Sequence, residues 1–181
     1  MKTHPSITPE LQEWIGQQHV FFVGTAPLSA EGHVNCSPKG GDAFRILGPL
    51  EVVYQDYTGS GAETAAHLRE NQRIVIMFCA FQGPPKIVRL HGRGSVITED
   101  HSRFAELAAH FPPQAGTRAF IHLTVQRVSD SCGYSVPFYD YRKDRNTLEK
   151  WATAKSPEEL EKYRAQKNQR SIDGLPAFNV G

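Results

Sequence analysis

The sequence reads as a mainly β fold with peripheral helices and a helical C-terminal tail, on three observations. Between His19 and Val128 the chain passes through segment after segment rich in Val, Ile, Phe and Tyr, residues suited to a pleated, half-buried surface. Turn-forming stretches such as Ser29-Ala30-Glu31-Gly32 and Gly83-Pro84-Pro85 separate them. Beyond Cys132 the composition turns polar and the spacing becomes helical.

The first element is a short helix, with Thr8 as N-cap, Pro9 at the first helical position and "ELQEWIGQQ" following. "HVFFVGTA" is a continuous apolar strand, and "GHVNCSPKG" is a shorter, more polar one. "LEVVYQDY", "RIVIMFCAF", "KIVRLHGRGSVI" and "FIHLTVQRV" bring the total to about six strands. Gly83-Pro84-Pro85 joins two of them as an antiparallel hairpin. Helices are predicted over 61–71 and over Asp100–Phe111, the latter with Asp100 as N-cap. A closed or nearly closed barrel is the economical way for so many short strands to avoid exposed edges. The tail reads as helical at 145–154 and 157–169, with Ser156-Pro157-Glu158-Glu159 as a capping box. Residues 1–135 are thus expected to form the barrel domain. Residues 136–181 form an extension too polar for a core of its own, packing on the barrel or on a partner subunit.

At 181 residues the chain is long enough to bury a core, and its 39% hydrophobic and 22% charged residues are those of a soluble globular protein. The net charge is +1, the pI is near 7.8, and basic residues are not bunched, which argues against nucleic acid or anionic membrane as partner. Cys36, Cys79 and Cys132 are odd in number and far apart, so neither a disulfide framework nor a zinc knuckle is expected. The N-terminus has no apolar core of a signal peptide, and no stretch approaches ~18 apolar residues. A reducing, cytoplasmic setting follows as the expectation.

The stretch "TGSGAET" carries the first chemical candidate. Gly59 and Gly61 come close to the dinucleotide fingerprint, but Thr64 stands at the third small position and the unit is too short for a standard crossover. Ser60, three residues before Glu63, reads as a capping box. The same helix start, with Ser60 and Thr64 hydroxyls one turn apart, equally suits a phosphate monoester. In "NCSPKGG" Lys39 ends a short strand beside glycines that allow close approach, either as an anion ligand or as an ordinary surface lysine. Cys36 beside it reads as a structural thiol, because nothing marks it as an activated thiolate. His91 and His122 read as barrel-wall residues, and no catalytic acid, base or nucleophile cluster stands out. An enzyme of this size without such a cluster borrows its chemistry from a cofactor.

The order of motifs resembles the FMN-binding split-barrel family of pyridoxamine 5'-phosphate oxidase over about residues 15–135. The resemblance rests on "FFVGTA", "GHVNCSPKG", the helix-to-strand pattern Leu68, Asn71, Arg73, Phe78, and "RLHGRGSV". It implies a six-stranded Greek-key split barrel and a homodimer with FMN at the subunit interface, touched by both chains. It implies that Lys39 contacts the flavin, with Asn35, Cys36 and Ser37 on the same strand. Thr58, Ser60, Gly61 and Thr64 would hold the FMN phosphate, and Cys132 and Tyr134 would form an edge facing the partner's flavin.

The chain also departs from the family's oxidases. Thr64 stands where they carry a lysine, the arginine usual near Val34-Asn35 is missing, and Asp173-Gly174-Leu175-Pro176 replaces their arginine-bearing end. A dianionic substrate needs cationic partners, so pyridoxamine phosphate oxidation is not the expected reaction. The expectation is an FMN-dependent oxidoreductase acting on a small substrate. The rivals are a flavin-binding or sensing module without turnover, and a split barrel that binds deazaflavin or haem.

Overall fold

In the computed structural model, which describes residues 1–178, Thr8 accepts a hydrogen bond from Leu11 N and Pro9 opens the first helix, α1 (Pro9–Gly16). Leu11 and Ile15, four apart on one face, are buried against the barrel core. A short strand, β1 (Lys2–His4), precedes it. The chain continues through β2 (Val20–Thr25), β3 (Asn35–Gly40), β4 (Phe44–Gly48), β5 (Glu51–Tyr57) and α2 (Glu63–Asn71). Next come β6 (Arg73–Cys79), β7 (Ile87–Ile97), α3 (Phe104–Ala108), β8 (Thr117–Ser131), α4 (Thr147–Thr153) and α5 (Pro157–Lys167).

All eight strands belong to one antiparallel sheet in the order β3-β2-β6-β7-β8-β5-β4, with β1 added along the end of β8. The outer strands β3 and β4 do not pair, yet the sheet curls until its two ends share a core. Phe44 of β4 lies 5.2 Å from Phe21 of β2 and 5.1 Å from Phe78 of β6, centroid to centroid. Tyr54, Ile76, Leu90, Ile121 and Leu123 fill the interior. A kink in β7 helps the curl. The register shifts between His91 and Gly92, and a Cβ at Gly92 would lie 2.0 Å from the Thr124 carbonyl oxygen, so only glycine fits.

Three expectations are corrected. The sheet has eight strands rather than six: β4 is divided from β5 by Pro49-Leu50 alone, and polar β1 owes its conformation to pairing with Val128–Asp130. Ser60 does not cap α2. Ala62 is the N-cap, and Glu63 reaches back to accept from Ala62 N at 3.1 Å. The helix expected over Asp100–Phe111 is shortened to α3, because the Asp100 carboxylate accepts from the Thr98 hydroxyl in a local turn instead of capping. The Gly83-Pro84-Pro85 hairpin stands as expected, with Gly83 at φ 68°, and so does the capping box of Ser156 and Glu159.

The C-terminal segment returns to the barrel. Ala177 and Phe178 pack with Ala62, Ala65 and Ala66 of the α2 region and Ala119 of β8. Among the described residues no helix is long and apolar enough to cross a membrane, and all three cysteines are free.

Candidate functional site

A cavity of about 940 Å³ opens between β3, the end of β5, the 58–64 loop, the start of β8 and the 143–152 segment. Five of the residues singled out from sequence line it: Ser37, Lys39, Thr58, Gly61 and Thr64. Strand alternation explains the first two, since Asn35, Ser37 and Lys39 share the inner side of β3. Asn35 stands just behind the wall, donating from Nδ2 to Thr64 Oγ1 at 3.0 Å and to Thr25 Oγ1 at 3.1 Å. Its Oδ1 accepts from the Ser37 hydroxyl at 2.8 Å. Thr25 in turn is 2.9 Å from His67 Nδ1, and His67 Nε2 is buried without a partner among the described residues.

The other four lie elsewhere. Cys36 is exposed on the opposite side of β3. Ser60 belongs to the loop but is exposed and does not line the cavity. Cys132 and Tyr134, at and beyond the end of β8, are exposed and line no part of it within this chain. The N–H groups of Gly59, Ser60 and Gly61 have no acceptor among the described residues, so the loop presents free backbone donors next to the start of α2.

The electrostatics of the cavity come from residues the sequence reading passed over. Asp56 is buried at the end of β5, and Arg118 Nε donates to its Oδ2 at 2.7 Å. Lys39 Nζ lies 3.5 Å from the other oxygen and 5.9 Å from the Tyr54 ring centroid. Burial would raise the Asp56 carboxyl, but the charges of Arg118 and Lys39 outweigh it and hold it below the ordinary range. Tyr54, whose buried hydroxyl lies beside Thr64 without a well-formed hydrogen bond among the described residues, is pushed up by burial and by the charge of Asp56.

A third cation comes from the tail. Arg164 of α5 donates to Thr58 Oγ1 at 2.9 Å and to the Thr117 carbonyl at 3.0 Å. Burial and the neighbouring Arg118 charge push its guanidinium below its usual range. Asn168 Nδ2 donates to the Gly59 carbonyl at 2.8 Å, so α5 braces the loop from behind. The buried Asp56 carboxylate is thus flanked by two cations, Lys39 and Arg118, with Arg164 behind Thr58, and the cavity wall beside them also carries the Glu63 carboxylate at the start of α2. The two cations and the loop N–H groups together suit an anion such as a phosphate monoester. Asp56, a carboxylate between Tyr54 and Tyr57 late in the strand "LEVVYQDY", was the sequence signal for this cluster, because a buried charge requires a partner.

Comparison with known proteins follows the same lines. The family profile described as pyridoxamine 5'-phosphate oxidase matches residues 7–132. The pyridoxamine 5'-phosphate oxidase family protein ustO of Aspergillus flavus is 39% identical over 193 aligned positions, covering 97% of this chain and 77% of that protein. Among solved structures, HupZ from Group A Streptococcus superposes with a TM-score of 0.53 at 23% identity, over 67% of this chain and 91% of that one. A candidate pyridoxamine 5'-phosphate oxidase from Lactobacillus delbrueckii gives 0.55 at 16% identity, over 71% and 99%. At these identities the two structures speak for the fold, while the profile and the fungal relative speak for descent: the chain belongs to the pyridoxamine 5'-phosphate oxidase family.

Proposed function

We propose that the chain is an FMN-binding flavoprotein, an oxidoreductase acting on a small substrate, that works as a homodimer. The observation that carries the reading is the donor cluster at one end of the cavity, where Lys39 and Arg118 flank the buried Asp56 carboxylate beside the Thr64 hydroxyl and free loop N–H groups. A phosphate monoester would pair with the two cations and accept from those N–H groups. Lys39, Arg118, Thr64 and the loop at Gly61 would hold that phosphate, with Thr58 fixed behind them by Arg164. Flavin, when bound, supplies hydride transfer at N5. The chain's part is to bind and orient the cofactor and to exclude water.

Family membership supports this reading, and the volume of about 940 Å³ lies within the range of small-molecule sites. Thr64 in place of a lysine separates the site from that of the true oxidases, so the substrate is proposed to be other than pyridoxamine phosphate. The homodimer is supported by an exposed aromatic surface after β8: Tyr134 and Phe138 are 83% and 79% exposed, an area that a second copy would cover. The tail extends the same site, since residues 143–149 form one wall of the cavity.

Colour is the direct test. The purified protein is expected to be yellow, to release FMN on denaturation, and to bleach with NADH or NADPH if it turns over. A colourless protein that ignores added FMN overturns the reading. A Soret band would point to haem, and a flavin that stays oxidised against every donor would point to a non-catalytic module.

A further inference from the structure

The two hydrogens on the Asn35 amide nitrogen set the direction of each bond in the chain from His67 to the cavity. One goes to Thr25 Oγ1 and the other to Thr64 Oγ1, at 3.1 and 3.0 Å, while Oδ1 accepts from Ser37. The reverse amide orientation would leave one hydrogen without an acceptor, because Ser37 alone lies on that side. Thr25 already accepts from Asn35, so its own hydrogen goes to His67 Nδ1, 2.9 Å away. His67 then carries its proton on Nε2, and burial, which lowers its pKa, keeps the ring neutral. Had Nδ1–H donated to Thr25 instead, both the Thr25 hydrogen and the Nε2 lone pair would be buried without partners. The first arrangement leaves one orphan rather than two.

At the other end of this chain Thr64 accepts from Asn35, and the neighbouring buried Tyr54 hydroxyl can donate to its second lone pair, so the Thr64 hydroxyl hydrogen remains to be donated. Thr64 lines the cavity and sits in the first turn of α2, where backbone N–H groups have no partner inside the helix. Its hydroxyl and its N–H thus both act as donors at one spot. A group without hydrogens to offer, such as a fully ionised phosphate, satisfies both.

We propose that Asn35 is a positioning residue for the anion end of the cavity. By donating to Thr64 it makes that hydroxyl a donor toward the ligand, and so selects a phosphate dianion over neutral groups that must themselves donate. The identity of the phosphate carrier rests on the FMN reading. The bond polarity is a property of the ligand-free chain.

The test has two parts. Long-range proton–nitrogen correlation NMR on the ligand-free protein reports the His67 tautomer. Nε2–H is expected in the wild type and Nδ1–H in Asn35→Asp, whose carboxylate accepts from Thr25 and Thr64 and reverses the chain. A wild-type His67 protonated at Nδ1 overturns the proposal whether or not FMN binds. FMN titration then compares Asn35→Ala, Thr64→Val and the double variant. Each single change is expected to weaken binding by about tenfold or more, and the double to be no weaker than Thr64→Val, because Asn35 acts through Thr64. Thr64→Ser retains binding. Additive losses overturn the positioning role. If the wild type takes up no FMN, the cofactor reading fails alone, and the same cycle is run with inorganic phosphate, where additive losses overturn the proposal equally.

Discussion

Arg118 Nε and Asp56 Oδ2 are 2.7 Å apart, and their side chains are 8% and 3% exposed, so the pair that joins β8 to β5 at the cavity is almost wholly withdrawn from water. Removing one partner leaves the other charged, buried and uncompensated. Asp56→Ala is therefore expected to cost about 3–5 kcal/mol, read as a shift of the denaturation midpoint at constant slope. Lys39→Met, at 3.5 Å and a partly exposed position, is expected to cost about 1 kcal/mol or less. Equal losses from the two would mean that Lys39, not Arg118, anchors the carboxylate.

Arg164→Met tests the brace between tail and loop. Its two charge-assisted hydrogen bonds, to Thr58 and to the Thr117 carbonyl, are half screened by solvent. A stability loss of about 1.5 kcal/mol is expected, together with severalfold weaker FMN binding by fluorescence titration. Unchanged affinity would reduce α5 to a packing element.

Stability should decline in two stages as the solution is acidified. His67 is held low by burial, and His91 likewise, so both remain neutral in the fold while the unfolded chain takes up protons below about pH 6.5. Their contribution is complete above that pH and is lost as the pH falls toward their folded values. Asp56 is held low by Arg118 and Lys39 against its own burial, and Glu51 by the His122 hydrogen bond. Their contribution is lost at lower pH, below about 4. Melting temperature is expected to drop between pH 7 and 5, with a shallower slope in His67→Asn. The same slope in both proteins would remove His67 from this account.

Gly92→Ala places a methyl group 2.0 Å from a backbone oxygen that cannot rotate away. The β7 kink must open or the β7–β8 ladder must part, so a loss of about 3 kcal/mol or more is expected in thermal or denaturant unfolding. Gly41→Ala is the contrast. It meets no atom within 4 Å and carries the strain of φ 69° alone, which is of order 1–2 kcal/mol.

Local chemistry made much of the fold legible. The strands of the 19–128 region, the Gly83 hairpin, the Thr8 cap and the Ser156 capping box follow from side-chain period and from hydrogen bonds spanning a few residues. β1 was not legible, since its three residues are strand only because Lys2 pairs with Asp130 and His4 with Val128. The same limit applied at Ser60, whose spacing to Glu63 reads as a capping box although Glu63 accepts from Ala62 N and Ser60 caps nothing.

The site divides in the same way. Consecutive residues were enough to establish a strand ending in Lys39 and a glycine loop leading to Thr64, because both are written in unbroken stretches of the chain. What gives them their charge came from packing between distant segments. Asp56 meets Arg118 across 62 positions because the β5–β8 register sets Asp56 opposite Ala119, and Arg164 reaches Thr58 across 106 positions because α5 lies against that loop. A periodicity records which face a residue takes. The distance between two charges on separate segments is set by strand register and by how the tail packs, and in this chain those place Lys39, Arg118 and Arg164 around a loop that by itself reads as a helix cap.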